Sequence, residues 1–248
     1  DRSLRGKVEN KVVVITGGSS GIGKAAALKI AEAGAVVVIA ARGEEELEAT
    51  RKEIADAGHK CFAYKADLAD LESCDALIAE VVKNHGAVDI LINNAGRSIR
   101  RSIELSFDRF HDFERTMQLN YFGSLRLIMQ SLPSMIAKRR GHIINISSIG
   151  VLASSPRFSA YVASKAALDA FSHCAQGELS GKGISFTTIN MPLVKTPMIA
   201  PTKMYDSVPT LTPEEAADLI IKAIIDKPSR VATRLGVFAG VVHAVFPK

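Results

Sequence analysis

The sequence predicts an α/β fold, namely a Rossmann-like doubly wound parallel sheet of about seven strands in a single domain. Short β-branched runs alternate with segments in which apolar residues recur every three or four positions. The first run, residues 12–15, is apolar throughout. Both faces of that strand must therefore be covered, as in a parallel sheet with helices on each side. No repeat and no Pro/Gly/Ser linker divides the chain.

The elements follow from these runs in chain order. Strands are predicted over residues 11–16, 36–41, 61–65, 88–93, 142–147, 185–190 and 230–233. Helices are predicted over residues 22–33, 44–57, 71–85, 107–135, 161–179 and 213–226. The domain core is expected over residues 7–233, followed by an apolar C-terminal extension, residues 234–248. Phe107, Phe110 and Phe113, spaced by three residues, are expected to belong to the core.

Composition narrows the function classes. The 248 residues carry 31 Lys and Arg against 26 Asp and Glu, a net charge of +5, and 47% of them are hydrophobic. That balance excludes a disordered chain and a highly charged nucleic-acid arm, so no nucleic-acid partner is expected. Cys61, Cys74 and Cys174 form neither a CxxC pair nor a zinc cluster, which indicates a reduced, cytoplasmic protein without a metal site.

The longest apolar stretches are residues 35–41 and 235–246. Both are shorter than the roughly 20 residues of a membrane-spanning helix. The second stretch is expected to form a core or subunit-contact helix, with binding to a membrane surface as the alternative. The chain starts at Asp1 and stops just after an apolar stretch, which suggests a domain of a longer polypeptide.

A glycine-rich turn joins the first strand to the first long helix. It reads TGGSSGIG over residues 16–23. Glycines let the backbone approach a pyrophosphate, and the free N–H groups at a helix N-terminus bind its charge. A tight turn without a ligand is the alternative. The residues predicted to bind the cofactor here are Gly17, Ser19, Ser20, Gly21, Ile22 and Gly23.

The second strand ends at Arg42, where an NAD-binding site usually has an acidic residue. A guanidinium fits a phosphate dianion, so Arg42, helped by Ser19, favours the 2′-phosphate of NADPH/NADP. A solvated arginine is the alternative. Asp67, with Leu68 beside it, follows the third strand and is placed to reach the adenine, although a helix N-cap explains the aspartate equally well.

Four features together resemble the short-chain dehydrogenase/reductase family. They are TGxxxGIG at residues 16–23, NNAG at residues 93–96, Ser148, and Tyr161 four positions before Lys165. The resemblance covers roughly residues 9–233. It implies an NADP-dependent oxidoreductase with the Rossmann-like fold.

The resemblance assigns a catalytic set of four residues. It implies that Tyr161 donates the proton, Ser148 bonds the reacting oxygen, Lys165 anchors the cofactor ribose and tunes the tyrosine, and Asn120 holds a proton-relay water. Tyr161 and Lys165 share one helix face, and a nearby ammonium favours the ionised form of a tyrosine whose ordinary pKa is about 10. The structural alternatives are that Tyr161 and Lys165 form an ordinary surface pair, and that Asn120 is a buried asparagine whose hydrogen bonds are all made within the protein.

The resemblance also extends the cofactor site. It implies that Asn94, Ala95 and Gly96 line the adenosine-ribose side, and that Pro192, Val194 and Thr196 hold the nicotinamide. One departure is Leu193, where the family often has glycine after this proline. That leucine narrows the mouth of the site and bears on the substrate.

Three arginines follow the NNAG motif: Arg97, Arg100 and Arg101. Cations beside the cofactor cleft suit a polyanionic substrate, while a solvated loop or a partner surface is an equal alternative. Longer strings sharpen the resemblance, namely NNAGRSIRRS, FDRFHDFERTMQLNYFG, RFSAYVASKAALDAF and MPLVKTPMIAPTK. They look like bacterial fatty acyl-CoA reductases.

That closer resemblance implies reduction of long-chain acyl-CoA by NADPH to fatty aldehyde. With such a substrate, we expect the three arginines to contact the CoA phosphates. It also implies a homo-oligomer or an N-terminal reductase domain fused to this one. Two alternatives remain. One is a reductase of fatty aldehydes, ketones or 3-oxoacyl thioesters, and the other is a non-catalytic NADP-binding module.

Overall fold

The computed structural model describes residues 3–199, 209–233, 236–238 and 241. Its centre is a parallel seven-stranded sheet with the order β3-β2-β1-β4-β5-β6-β7. The predicted doubly wound fold is thus confirmed. The strands are β1 (Val12–Thr16), β2 (Val36–Ala41), β3 (Cys61–Lys65), β4 (Ile90–Asn93), β5 (Gly141–Ser148), β6 (Ile184–Met191) and β7 (Arg230–Ala232).

Helices cover both faces of the sheet. They are α1 (Leu4–Val8), α2 (Gly21–Glu32), α3 (Glu44–Asp56), α4 (Leu71–His85), α5 (Phe110–Met117), α6 (Ser124–Ala137), α7 (Ile149–Ala153), α8 (Ser159–Leu179) and α9 (Pro213–Asp226). Short 3-10 turns span Glu104–Ser106 and Ser180–Lys182, and a π-helical segment, Gln118–Gly123, joins α5 to α6.

Alternate residues of β1 build two separate cores. Val13 and Ile15 pack with apolar residues of α2, α3 and α9 on one face. Val12 and Val14 pack with residues of α4, α6 and α8 on the other. All five residues of β1 are buried, as a central parallel strand requires.

The strand order reverses between β1 and β4, because β2 and β3 lie on one side of β1 and the later strands lie on the other. At such a switch point the loops that leave the two strands diverge and open a crevice at their carboxyl ends. The glycine-rich turn leaves β1 there, and the NNAG motif ends β4. The fold therefore brings these two distant motifs to the same edge.

One long predicted helix, residues 107–135, is divided in the structure. Phe107 lies outside helix, α5 starts at Phe110, and the π-helical segment separates α5 from α6. The expectation that Phe107 and Phe110 belong to the core is wrong, because both side chains are exposed and pack against neither of the two cores formed by the described residues. The short helices α1 and α7 were not predicted.

The extension, residues 234–248, lies almost entirely outside the described residues. Within the part of the chain that the structure describes, no helix combines the length and the apolar character needed to cross a bilayer.

Candidate active site

A cleft of about 1470 Å³ opens at the carboxyl edge of the sheet. It brings together residues from Gly17 to Ile199, and nineteen of the predicted site residues line it. These are Gly17, Ser19, Ser20, Gly21, Ile22, Arg42, Asp67, Leu68, Asn94, Ala95, Gly96, Arg97, Arg100, Ser148, Tyr161, Lys165, Pro192, Val194 and Thr196. Gly23, Asn120 and Arg101 are outside this lining.

The glycine-rich turn is built for a backbone that approaches a ligand closely. Gly17 and Gly21 have φ of 64° and 51°, in the left-handed region that favours glycine. Gly23 lies behind the turn, where a Cβ atom would be 2.2 Å from the Gly17 carbonyl oxygen. Ser20 is the N-cap of α2, yet its side chain makes no capping hydrogen bond. The first amides of α2 are thus left for an anion.

Thr16 and Asn94 hold this turn against the end of β4. The Thr16 hydroxyl accepts hydrogen bonds from the Asn94 and Ala95 amides, each at 3.0 Å. The Asn94 side-chain amide donates to the Thr16 carbonyl at 3.0 Å and to the Gly17 carbonyl at 3.3 Å. Sequence reasoning missed Thr16 as a site residue. Its position at the end of β1, directly before the first glycine, was the available signal.

Arg42 and Asp67 lie on the adenosine side of the cleft. Arg42 is exposed, and its guanidinium makes no hydrogen bond or ion pair with any residue that the structure describes. The Asp67 carboxylate accepts from the Ala69 amide at 3.0 Å, whereas the N-cap of α4 is Asp70. The alternative that Asp67 caps the helix is therefore wrong.

Ser148, Tyr161 and Lys165 meet at the opposite end of the cleft. Ser148 ends β5, and its hydroxyl accepts from the Gly150 amide at 3.1 Å as the N-cap of α7. Tyr161 and Lys165 project from one face of α8, with the lysine Nζ 6.0 Å from the centre of the tyrosine ring. A hydroxyl, a phenol and an ammonium thus share one wall of the cleft.

Lys165 is a buried ammonium. Its Nζ donates to the Ile146 carbonyl at 2.8 Å, and burial lowers the pKa of Lys165 to about 8. The Nζ also lies close to Gly96, where a Cβ atom would be only 3.2 Å away. The lysine is thus fixed between α8, β5 and the NNAG motif.

Asn120 lies within the π-helical segment and is fully buried. Its side-chain oxygen accepts from the Arg97 amide at 2.8 Å, and its side-chain nitrogen donates to the Arg97 carbonyl at 2.8 Å and to the Ser164 hydroxyl at 3.0 Å. Asn120 thus links the start of the arginine loop to α8, one turn from Tyr161.

The three arginines of the loop have different environments. Arg97 and Arg100 line the cleft, whereas Arg101 points to Asp112 at 3.5 Å, and its amide donates to the Arg157 carbonyl at 2.7 Å. The prediction of three arginines at the cleft is corrected to two. The cause is Asp112, a buried carboxylate that attracts Arg101 away from the mouth.

Asp112 is surrounded by basic side chains. Arg109 Nε donates to it at 2.9 Å, Arg115 also donates to it, and His111 lies 3.4 Å away. The hydrogen bond from Arg109 is the main reason that the pKa of Asp112 falls to about 2, and that from Arg115 adds to it. Arg115 lines the cleft as well, although no motif in the sequence indicated this.

None of the three cysteines lines the cleft. Burial raises the pKa of the Cys61 thiol and of the Cys74 thiol to about 12 in each case, so both are poor nucleophiles. Cys174 is exposed on α8. Within the described ranges, no three His, Cys, Asp or Glu side chains are grouped so that they could hold a metal ion.

The family model for short chain dehydrogenases matches residues 11–205. The chain belongs to this family. It is therefore an oxidoreductase that binds a nicotinamide cofactor. Among solved structures, a metagenomic short-chain oxidoreductase in complex with NADP has a TM-score of 0.78 and 29% identity, over 92% of this chain and 98% of that one.

Two curated relatives with higher identity to this chain are fatty acyl-CoA reductases. A fatty acyl-CoA reductase of Acinetobacter baylyi is 57% identical over 244 residues, which cover 98% of this chain and 83% of the relative. A fatty acyl-CoA reductase of Mycobacterium tuberculosis is 46% identical over 239 residues, or 96% of this chain and 81% of the relative. The resemblance to bacterial fatty acyl-CoA reductases is confirmed.

Proposed function

We propose that this enzyme reduces long-chain fatty acyl-CoA to fatty aldehyde with NADPH, releasing CoA without a covalent enzyme intermediate. The observation that carries the proposal is one cleft that combines Ser148, Tyr161 and Lys165 with the cationic side chains of Arg97 and Arg100. Similarity to two fatty acyl-CoA reductases supports the same substrate class.

The residues of the cleft fit a dinucleotide with a 2′-phosphate. The first amides of α2 face a narrow space next to Thr196. A Cβ atom on Gly21 would fill this space, because it would lie 3.2 Å from Thr196 Cγ2. Arg42 has no acidic partner among the described residues and would bind the 2′-phosphate, which favours NADPH over NADH. When bound, NADPH supplies the hydride that reduces the thioester carbonyl carbon.

The chain's own residues handle the carbonyl oxygen and its proton. The Ser148 hydroxyl and the Tyr161 phenol stabilise the negative charge that develops on that oxygen, and Tyr161 then donates its proton to it. The Lys165 ammonium favours the tyrosinate that remains. The product of this step is a thiohemiacetal.

Collapse of the thiohemiacetal completes the reaction. The tyrosinate takes back the hydroxyl proton, the C=O bond re-forms, the C–S bond breaks, and CoA leaves as a thiolate that is protonated by solvent. A thiol pKa of about 8.5 makes it a competent leaving group. The balance is acyl-CoA, NADPH and one proton giving aldehyde, CoA and NADP⁺. No enzyme nucleophile is needed, which agrees with the absence of cysteines from the cleft lining described here.

The arginines are assigned to the phosphates of CoA. Arg97 and Arg100 lie on the loop that follows β4, next to the catalytic wall. Arg115 also lines the cleft, although its guanidinium donates to Asp112. Guanidinium groups bind phosphates with two parallel hydrogen bonds. Asn120 holds the Arg97 backbone, which fixes the point from which the guanidinium reaches into the cleft.

The direct experiment follows NADPH oxidation and release of free thiol in parallel with palmitoyl-CoA as substrate. Equal rates are expected. Oxidation of NADPH with a fatty aldehyde, without thiol release from acyl-CoA, would instead favour the aldehyde or ketone reductase. NADPH binding without turnover of any thioester or aldehyde would favour the non-catalytic module.

Matched variants separate the roles. Tyr161→Phe should lower turnover by about two to four orders of magnitude, the range typical of a general acid, and leave NADPH binding intact. Arg97→Ala and Arg100→Ala should raise the KM for acyl-CoA with little change in the KM for NADPH. Arg5→Ala, an exposed arginine paired with Glu9 on α1, is the control for loss of a positive charge.

A further inference from the structure

The turn of residues 103–110, here called the apolar turn, carries four large apolar side chains into solvent. Ile103, Leu105, Phe107 and Phe110 are 55%, 66%, 81% and 69% exposed. Single exposed apolar residues are common on protein surfaces, but four within eight positions form a patch of the kind that marks a binding surface.

The apolar turn is held by its own hydrogen bonds. The Leu105 amide donates to the Ser102 carbonyl at 3.2 Å, the Ser106 amide to the Ile103 carbonyl at 2.9 Å, and the Arg109 amide to the Ser106 carbonyl at 3.0 Å. The Ser106 hydroxyl also donates to the Ser102 carbonyl at 2.8 Å. These bonds satisfy three amides of the turn locally and give the turn a defined shape.

Cations surround the turn. Residues 97–115 together with Arg157 hold six arginines against four carboxylates. One of the four, Asp112, is buried and already paired with arginines. Counted together, the six arginines and four carboxylates carry a net charge of +2, although Glu104 and Asp108 lie on the turn itself. This positive balance complements a surface of anionic headgroups.

The turn also borders the catalytic cleft. Ser98 and Arg100, before it in the chain, and Glu114 and Arg115, after it, all line the cleft. Binding sites for small molecules are concave. The side chains of the apolar turn are more than half exposed and protrude, so a single acyl chain lying against them would stay exposed to water on one side. A protruding apolar group with a net positive charge around it instead matches interfacial membrane binding.

We propose that the apolar turn inserts into the surface of an anionic lipid bilayer and places the mouth of the cleft at that surface. A fatty substrate or product would then pass between the cleft and the lipid without crossing water. Only this passage of substrate or product rests on the proposed function, while the binding of the turn to the bilayer does not.

The test is flotation of the full chain, without substrate, with vesicles of phosphatidylcholine containing phosphatidylglycerol and with vesicles of pure phosphatidylcholine. Binding is expected to be stronger to the anionic vesicles. The double variant Leu105→Ser with Phe107→Ser should bind them at least about tenfold more weakly. Transfer of even one such side chain from water into the bilayer changes the affinity by about tenfold. Phe122→Ser, which removes another exposed phenylalanine, should bind like the wild type.

Two results would overturn the proposal. One is that Phe238→Ser, in the C-terminal extension, abolishes binding while the double variant binds normally. The other is that no vesicle binds and the double variant instead lowers self-association in sedimentation, which would make the turn a contact between copies. Turnover of a short, water-soluble acyl-CoA should stay normal in the double variant, so failure of membrane binding is separable from failure of the proposed reaction.

Discussion

The Asn120 side chain bonds the Arg97 backbone on both sides, accepting from its amide and donating to its carbonyl, each at 2.8 Å. A single buried side chain thus fixes the start of the loop that carries the cleft arginines. Ser164 completes its hydrogen bonding at 3.0 Å. Asn120 therefore has a positioning role in this structure, whatever it contributes to proton relay.

We expect Asn120→Ala to raise the KM for acyl-CoA by about tenfold or more and to lower turnover. Two partly buried backbone groups of Arg97 lose their partner, and leaving a buried group unsatisfied costs up to about 1–3 kcal/mol. Ser164→Ala keeps both bonds to Arg97 and is the matched control. Equal KM values for the two variants in steady-state kinetics would contradict the positioning role.

The pH profile should reflect Lys165. Its ammonium is lost as the pH rises through about 8, so kcat/KM is expected to fall above that value. The unfolded chain, with a lysine pKa near 10.4, holds more protons than the folded chain between these values. The free energy of unfolding should therefore rise with pH in the same window.

The contribution of Lys165 to stability is isolated by comparing the wild type with Lys165→Met in denaturant titrations between pH 7 and 10. The free energy of unfolding of the wild type minus that of Lys165→Met should increase as the pH rises. A pH-independent difference would show that Lys165 does not titrate with a depressed pKa.

Arg42 should set the preference between cofactors. Arg42→Ala is expected to raise the KM for NADPH by about ten- to a hundredfold, because a hydrogen bond to a charged group contributes about 1.5–3 kcal/mol. The KM for NADH should hardly change. Lys65→Ala, which removes a nearby exposed cation paired with Glu44, is the control. Parallel rises in both KM values would argue against contact with a 2′-phosphate.

Alanine substitutions at two helical glycines should change the stability of the fold in opposite directions. Gly23→Ala places a Cβ atom 2.2 Å from the Gly17 carbonyl oxygen and should destabilise the fold by about 1–3 kcal/mol. Gly177→Ala on α8 meets no atom within 4 Å and should stabilise it by up to about 1 kcal/mol. Chemical denaturation measures both. A neutral Gly23→Ala would mean that the turn relaxes freely.

Much of the fold was predictable because apolar periodicity is strong in buried elements. The predicted bounds of β2, β3, α4 and α9 agree with the structure residue for residue. The π-helical segment was not predictable, since its sequence has the spacing of an ordinary helix. The exposure of Phe107 depends on which elements fail to cover it, and that is a property of the assembled fold.

The site was predictable where a motif fixes the backbone, as in the glycine-rich turn and the Tyr161–Lys165 pair. The site was less predictable where a long side chain can reach more than one partner. Arg101 and Arg100 are adjacent in the sequence, yet one turns toward Asp112 and the other toward the cleft. The sequence does not give the position of the buried Asp112, which only the Arg101 side chain of this pair contacts.

Ser148 and Met191 are register partners at the ends of β5 and β6, which pair over eight residues. The alignment of the Ser148 hydroxyl with the loop that starts at Pro192 is thus inherited from main-chain hydrogen bonds, which side-chain mutation does not remove. Under the proposed function, substitutions at Leu193 or Met198, which line the cleft, would change which acyl group is accepted while Ser148 stays in place. Substrate choice and catalytic power would then be open to separate change in this chain.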